Sequence, residues 1–157
     1  MTQKSLRILA VGRLRTPFWK DAAEHYRARI SRWRTLQETE IRDADAALPQ
    51  AQRIARESEA LLAALTPMDI PICMDERGRC LSSREFARFL AALSDDVNRV
   101  PCFIVGGAFG FDDSVRRAAR HLLAFGPLTL PHELARVVLF EQLYRAEALL
   151  RNMPYHH

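Results

Sequence analysis

The chain is short of the residues that usually make a function easy to read. It has three cysteines, Cys73, Cys80 and Cys102, unevenly spaced and with no CxxC pair. That argues against a disulfide framework and a cysteine zinc site, and for a reducing compartment such as the cytoplasm. No apolar run reaches 18 residues, so no membrane span is expected. The opening MTQKSLRILAVG has neither the long apolar stretch nor the small-residue cleavage site of a signal peptide. HExxH, a Walker A loop, a nucleophile elbow and paired catalytic carboxylates are all missing. No acid–histidine cluster has ligand spacing, so no metal is expected. Lysine is nearly absent, represented by Lys4 and Lys20 alone.

What is present fits one domain, residues 1–157, with enough chain for a real core. The net charge of +4 is unevenly spread. Residues 1–34 carry nine Lys or Arg and two acids, a net +7, whereas residues 35–66 carry a net −3. An arginine-dominated first third suits a surface facing phosphates, although an arginine-rich composition explains it equally well.

Strand and helix signals alternate along the chain. Leu6–Val11 is a short apolar run ended by Gly12 and predicts a strand. Pro17 suits the first turn of a helix to Ile30, with Phe18, Ala22, Tyr26 and Ile30 on one face. Leu36–Ile41 predicts a half-exposed strand. Pro49 opens a helix through Ile54, Leu61, Leu62 and Leu65, and Pro67 closes it. Asp69–Met74 predicts a strand followed by the turn Asp75-Glu76-Arg77-Gly78. Ser82 and Glu85 form a capping box for a helix through Phe86, Phe89, Leu90 and Leu93. Val100–Val105 predicts a fourth strand, Asp112 a helix to about Leu123, and Leu128–Leu130 a brief fifth strand. The alternation predicts an α/β fold with a mostly parallel sheet. Leu134, Val137, Val138, Leu139, Phe140, Leu143 and Tyr144 cover most of the last helix. A helix so apolar predicts burial against a second copy of the chain.

In such sheets ligands gather at the carboxyl ends of the strands. Three ends are informative: Met74-Asp75-Glu76, Gly106 to Gly110, and Leu128 to His132. Gly106 and Gly107 permit close backbone approach, but the spacing GGxxG is not a dinucleotide fingerprint. A tight turn without a ligand explains it too. Pro127 and Pro131 bracket three residues and cannot donate hydrogen bonds, which suits the lining of a slot. His132 at the helix start is a candidate catalyst or a plain cap. Glu141–Arg145 and Glu147–Arg151 are favourable pairs four residues apart. Tyr155 and His156 are either a frayed end or groups held beside a site.

Taken together, the LRILAVGR opening, Asp75, the GGxxG loop, LTLPH and the LYRA…PYH tail resemble the ribosomal RNA large subunit methyltransferase H family. This is a small branch of the SPOUT (α/β trefoil-knot) methyltransferases, and the resemblance covers essentially the whole chain. It implies a SPOUT-type α/β fold with a C-terminal trefoil knot, a homodimer, and S-adenosylmethionine as cofactor. It also implies methyl transfer to N3 of pseudouridine 1915 in a stem-loop of large subunit 23S rRNA, within the assembled ribosome. By motif, Met74, Gly107 and Gly126-Pro127-Leu128-Thr129-Leu130-Pro131 match the cofactor-holding positions. His132, Arg145, Tyr155 and His156 match residues around the reacting base. Two positions depart from the family pattern. The loop carries Ala108-Phe109 where the family often has GGPxG, and His157 stands where a Lys or Arg commonly follows PYH. The competing expectation is a non-catalytic RNA- or ribosome-binding factor, which needs the basic surface but not the glycine loop or LTLPH.

Overall fold

A computed structural model describes residues 3–155. The elements run β1 (Lys4–Val11), α1 (Pro17–Ile30), β2 (Arg34–Ile41), α2 (Gln50–Ala64), β3 (Asp69–Cys80), α3 (Ser83–Leu93), β4 (Val100–Val105), α4 (Asp113–Ala118), β5 (His121–Ala124) and α5 (His132–Leu150). The strands form one sheet in the order β2-β1-β4-β3-β5, and the pairings are all parallel.

The period-two alternation of the strands sorts the core into two layers. Leu6, Ile8 and Ala10 of β1, Ile72 of β3, and Phe103 and Val105 of β4 face α1, α3 and α5. Leu9, Val11, Cys73, Cys102 and Ile104 point the other way, against Leu61 of α2 and Val115 of α4. Both faces being covered, the central stretches of these strands are largely apolar, as is usual for parallel strands. The capping box of α3 forms as its sequence predicts: Ser82 accepts from the Glu85 N–H, and Glu85 accepts from the Ser82 N–H.

Three expectations are corrected. The fifth strand is His121–Ala124, and Leu128–Leu130 is not a strand. Accordingly α4 stops at Ala118 instead of reaching Leu123. The run His121-Leu122-Leu123-Ala124 fits the end of a helix or a strand equally well, and the open edge of β3 decides between them. Residues 75–78 do not simply turn, because β3 extends to Cys80 with a register break between Met74 and Arg79. Leu123 is consequently opposite both Met74 and Arg79. A Cβ on Gly78 would lie 2.5 Å from the Leu123 backbone, so only glycine lets β3 wrap this closely around β5.

The third correction concerns α5. Val137, Leu139, Phe140, Leu143 and Ala146 are already buried by α1, α3 and the sheet of the same protomer. A partner is not required to cover them. Polar anchors fix the helix at both ends. Arg136, 1% exposed, donates to the carbonyls of Gly12 (2.6 Å) and Val11 (3.3 Å) and to Glu40 (2.8 Å). Glu133 accepts from the Thr16 hydroxyl (2.7 Å) and from the N–H groups of Arg15 and Thr16 at the start of α1. Toward the other end, buried Glu147 pairs with Arg34 (2.5 Å) and Arg151. Such pairs add little net stability, but removing one partner leaves an uncompensated buried charge.

Candidate active site

A cavity of about 230 Å³ opens at the carboxyl ends of β3, β4 and β5. Met74, Asp75 and Glu76 come from β3, and Gly106 to Phe111 from the loop after β4. Leu128, Thr129 and Leu130 come from the segment after β5, and His132 and Ala135 from the start of α5. The fold thus joins the three strand ends singled out by the sequence. Gly126, Pro127 and Pro131 shape the third segment without lining the cavity. Gly126 has φ +139, a conformation L side chains rarely adopt, and it turns the chain out of β5 into this strap. Leu128 is 79% exposed, so the strap stands off the body of the protein.

The strap offers main-chain donors. Among the described residues, the N–H groups of Leu128, Thr129 and Leu130 have no protein acceptor. A slot lined by the strap, whose main-chain donors are unpaired, and by Met74, Val105, Phe109 and Ala135 suits a flat nucleoside base. The residues therefore fit an adenosyl cofactor. Gly107 lines the cavity and is also packed closely from behind. Its Cβ would sit 2.9 Å from Glu57 Oε2 and 3.0 Å from Val11 Cγ1, so a side chain there would have to displace the end of Glu57.

Sequence reasoning missed two features of the wall. Asp75 is held by Arg116 (Nε to Oδ2, 2.9 Å), which also donates to the Phe111 carbonyl (3.1 Å). Burial works against the Arg116 charge, and Asp75 and Asp113 together outweigh it, so its pKa is raised. Phe109, the departure in the glycine loop, carries the Arg53 guanidinium 5.0 Å from its ring centroid. Neither partnership leaves a local signal, because the partners lie 41 and 56 positions apart in the chain.

His132 lines the cavity, and no ring hydrogen bond to protein is formed among the described residues. Arg145 and Tyr155 are elsewhere. Arg145 lies thirteen residues further along α5, about 20 Å at 1.5 Å per residue. It donates to Glu141 through Nε (2.9 Å) and a terminal nitrogen (2.6 Å). The chain then reverses in a Schellman turn. Asn152 takes φ 53, Met153 N–H bonds to the Ala148 carbonyl and Asn152 N–H to that of Leu149. The reversal brings Tyr155 back onto α5. Its ring packs edge-on to Tyr144 (4.6 Å) and under Arg145 (4.9 Å), with its hydroxyl 3.4 Å from Glu141. The described end of the chain is therefore held. Burial first, then Tyr26 and Glu141, raise the Tyr155 pKa, so the phenol stays protonated well into alkaline solution. His156 and His157 lie outside the described residues.

A wrapped parallel sheet with a strapped nucleoside slot at its carboxyl edge defines an α/β transferase of the SPOUT type. The chain belongs to that family: the model described as "Predicted SPOUT methyltransferase" matches residues 5–156, and full-length relatives place it within the ribosomal RNA large subunit methyltransferase H family. It is 57% identical over 157 residues to the ribosomal RNA large subunit methyltransferase H of Lawsonia intracellularis, covering 100% of both chains. To that of Nitratidesulfovibrio vulgaris it is 56% identical over 154 residues, covering 98% and 99%. Two solved structures share the fold at low identity. A probable methyltransferase from Bordetella pertussis has TM-score 0.55 at 15% identity, with 92% of this chain and 94% of that one covered. A probable methylase family protein from Haemophilus influenzae has TM-score 0.57 at 14% identity, with 100% and 72% covered.

Proposed function

We propose that this protein is an S-adenosylmethionine-dependent methyltransferase that methylates N3 of pseudouridine 1915 in 23S rRNA of the assembled ribosome, in the cytoplasm. The observation that carries the reading is the strapped cavity. Met74, the glycine loop and the strap, distant in sequence, line one slot, and these are the segments that the motif resemblance implies hold the cofactor. When bound, the cofactor supplies an electrophilic methyl group. The protein's part is to hold the acceptor nitrogen in line with it and to deal with the N3 proton.

His132 is the imidazole on the cavity wall and is suited to accept that proton. His156 in the tail is the first candidate for that role, and His132 is the alternative. Arg145 is suited to the negative charge that develops on the neighbouring carbonyl oxygens, and Tyr155 to stacking on or hydrogen-bonding to the base. Within one protomer Arg145 lies far from His132, which supports a site shared between two copies. A homodimer is part of the proposal, with Leu134, Val138, Glu141, Gln142 and Arg145 of α5 as the half-buried face left for a partner. The trefoil crossing also belongs to it, supported by the double pairing of Leu123.

The test is transfer of labelled methyl groups from S-adenosylmethionine to ribosomes from cells lacking the gene. Label on the pseudouridine of large subunit rRNA is the expected result. Ribosome binding without any transfer would favour the non-catalytic factor.

A further inference from the structure

The partly buried charged groups that line the slot are already engaged. Asp75 accepts from the Arg77 N–H at Oδ1 (2.9 Å) and from Arg116 at Oδ2 (2.9 Å), so both of its oxygens are engaged, and its side chain is only 7% exposed. Arg116 is divided among Asp75, Asp113 and the Phe111 carbonyl. Glu76, the next residue, is different. It is exposed at the rim of the same cavity and forms no ion pair among the described residues. Its Oε2 accepts the Thr129 hydroxyl at 2.7 Å, across the mouth of the slot. Its other oxygen has no donor among the described residues. Apart from the helix bond from Ala135 to the Pro131 carbonyl, this is the polar contact that ties segment 126–131 to the rest of the described protein.

We infer that Glu76 is a cofactor-binding residue that accepts hydrogen bonds from the ribose hydroxyls of the nucleoside while its second oxygen latches the strap through Thr129. The inference rests on the adenosyl-cofactor reading above. Its logic is one of capacity and place. A ribose carries two adjacent hydroxyl donors, and a carboxylate is an acceptor with up to four lone-pair sites. The strap's N–H donors suit the acceptor nitrogens of a base, and its carbonyls are neutral acceptors, whereas Glu76 offers the hydroxyls a charged one. The prolines at 127 and 131 remove further donors and leave the strap stiff. The carboxylate with spare capacity that lines the slot beside the strap is Glu76, so the sugar of a base held by the strap falls within its reach. Bonds to a charged acceptor discriminate more strongly than neutral ones. Loss of the diol donors should therefore weaken binding on the order of ten- to a hundred-fold.

The experiment is calorimetric titration of the full-length protein with S-adenosylhomocysteine and with its 2′,3′-dideoxyribose analogue. The unaltered protein is expected to prefer the diol by about tenfold or more. Glu76→Ala, which loses the latch as well as the ribose contact, should weaken both ligands, the diol more, so that the preference is erased. Thr129→Val, which frees the strap but keeps the carboxylate, should weaken both ligands equally and retain the preference. Glu76→Gln keeps an acceptor for Thr129 and should lie between. Glu76 is exposed, so melting temperatures within a degree or two of the parent are expected and confirm folding. A preference for the diol that survives in Glu76→Ala overturns the inference and leaves the cofactor reading standing. So does unchanged binding by that variant. Absence of binding by the unaltered protein overturns both together.

Discussion

At the scale of single residues, the cysteines show how burial sets chemistry. Cys73 and Cys102 face the α2–α4 side of the sheet, and burial pushes both thiols up to about 12. Cys80, past the register break of β3, is exposed. One thiol per chain should therefore react with an aromatic disulfide reagent in the native state, and three after denaturation. The pH dependence has a definite sign. The folded values lie above the ordinary value of 9.0, so the contribution of the neutral thiols is complete below about pH 9. It is lost as pH rises from there toward 12, because the unfolded chain then releases protons that the folded chain retains. Urea melts at pH 7 to 10.5 should show stability falling above pH 9. Cys102→Ala should flatten that fall, whatever it does to the level at neutral pH. An equally steep fall in the variant would assign the effect to other groups.

At the scale of elements, the slot depends on how closely β3 wraps β5. Gly78→Ala places a Cβ where the Leu123 backbone already is. The strands must part, and the strap that follows β5 moves with them. The expected cost is about 2–4 kcal/mol, at the upper end for single substitutions, because backbone on both sides must shift. Loss of S-adenosylhomocysteine binding should accompany it. Ser82→Ala is the comparison. It removes one half of the α3 capping box, away from the slot, and should cost about 1 kcal/mol with binding unchanged. Denaturant melts and calorimetry on the two variants separate a general loss of stability from a specific loss of the slot. A Gly78→Ala protein that binds normally would show that the wrap is looser than its geometry indicates.

At the scale of the whole molecule, the two groups of proposed site residues lie near opposite ends of α5. His132 faces the slot, while Arg145 and Tyr155 are gathered with Tyr26, Tyr144 and Trp33 on the side of α1. A shared site predicts that activity follows the dimer. Specific activity should fall on dilution through the dissociation constant measured by sedimentation. Mixing an Arg145→Ala chain with a His132→Ala chain should restore part of the activity if the two groups act across the interface. No recovery in a proven mixed dimer would place both groups of one site on the same chain, with the tail moving to reach the slot.

The sequence determined the layers of this protein: alternating strands and helices, the capping box of α3, apolar strands covered on both faces, and the three segments that line the slot. Those signals are local, carried by periodicity, caps and glycine or proline within a few residues, so they survive without any knowledge of neighbours. The Schellman turn at Asn152 is equally local. Where local preference was balanced, the sequence could not decide. Leu122 and Leu123 pair as a strand because β3 offers an open edge, and Leu128–Leu130, held between prolines, becomes a strap. Contacts between distant positions were hidden for the same reason. Arg116 on Asp75, Arg53 on Phe109 and Thr129 on Glu76 leave no pattern in the chain, since each partner alone is an ordinary polar or aromatic surface residue. The burial of α5 against its own α1 and α3 was likewise decided by tertiary structure. Hydrophobicity states how much surface must leave water, but only packing settles which surface covers it.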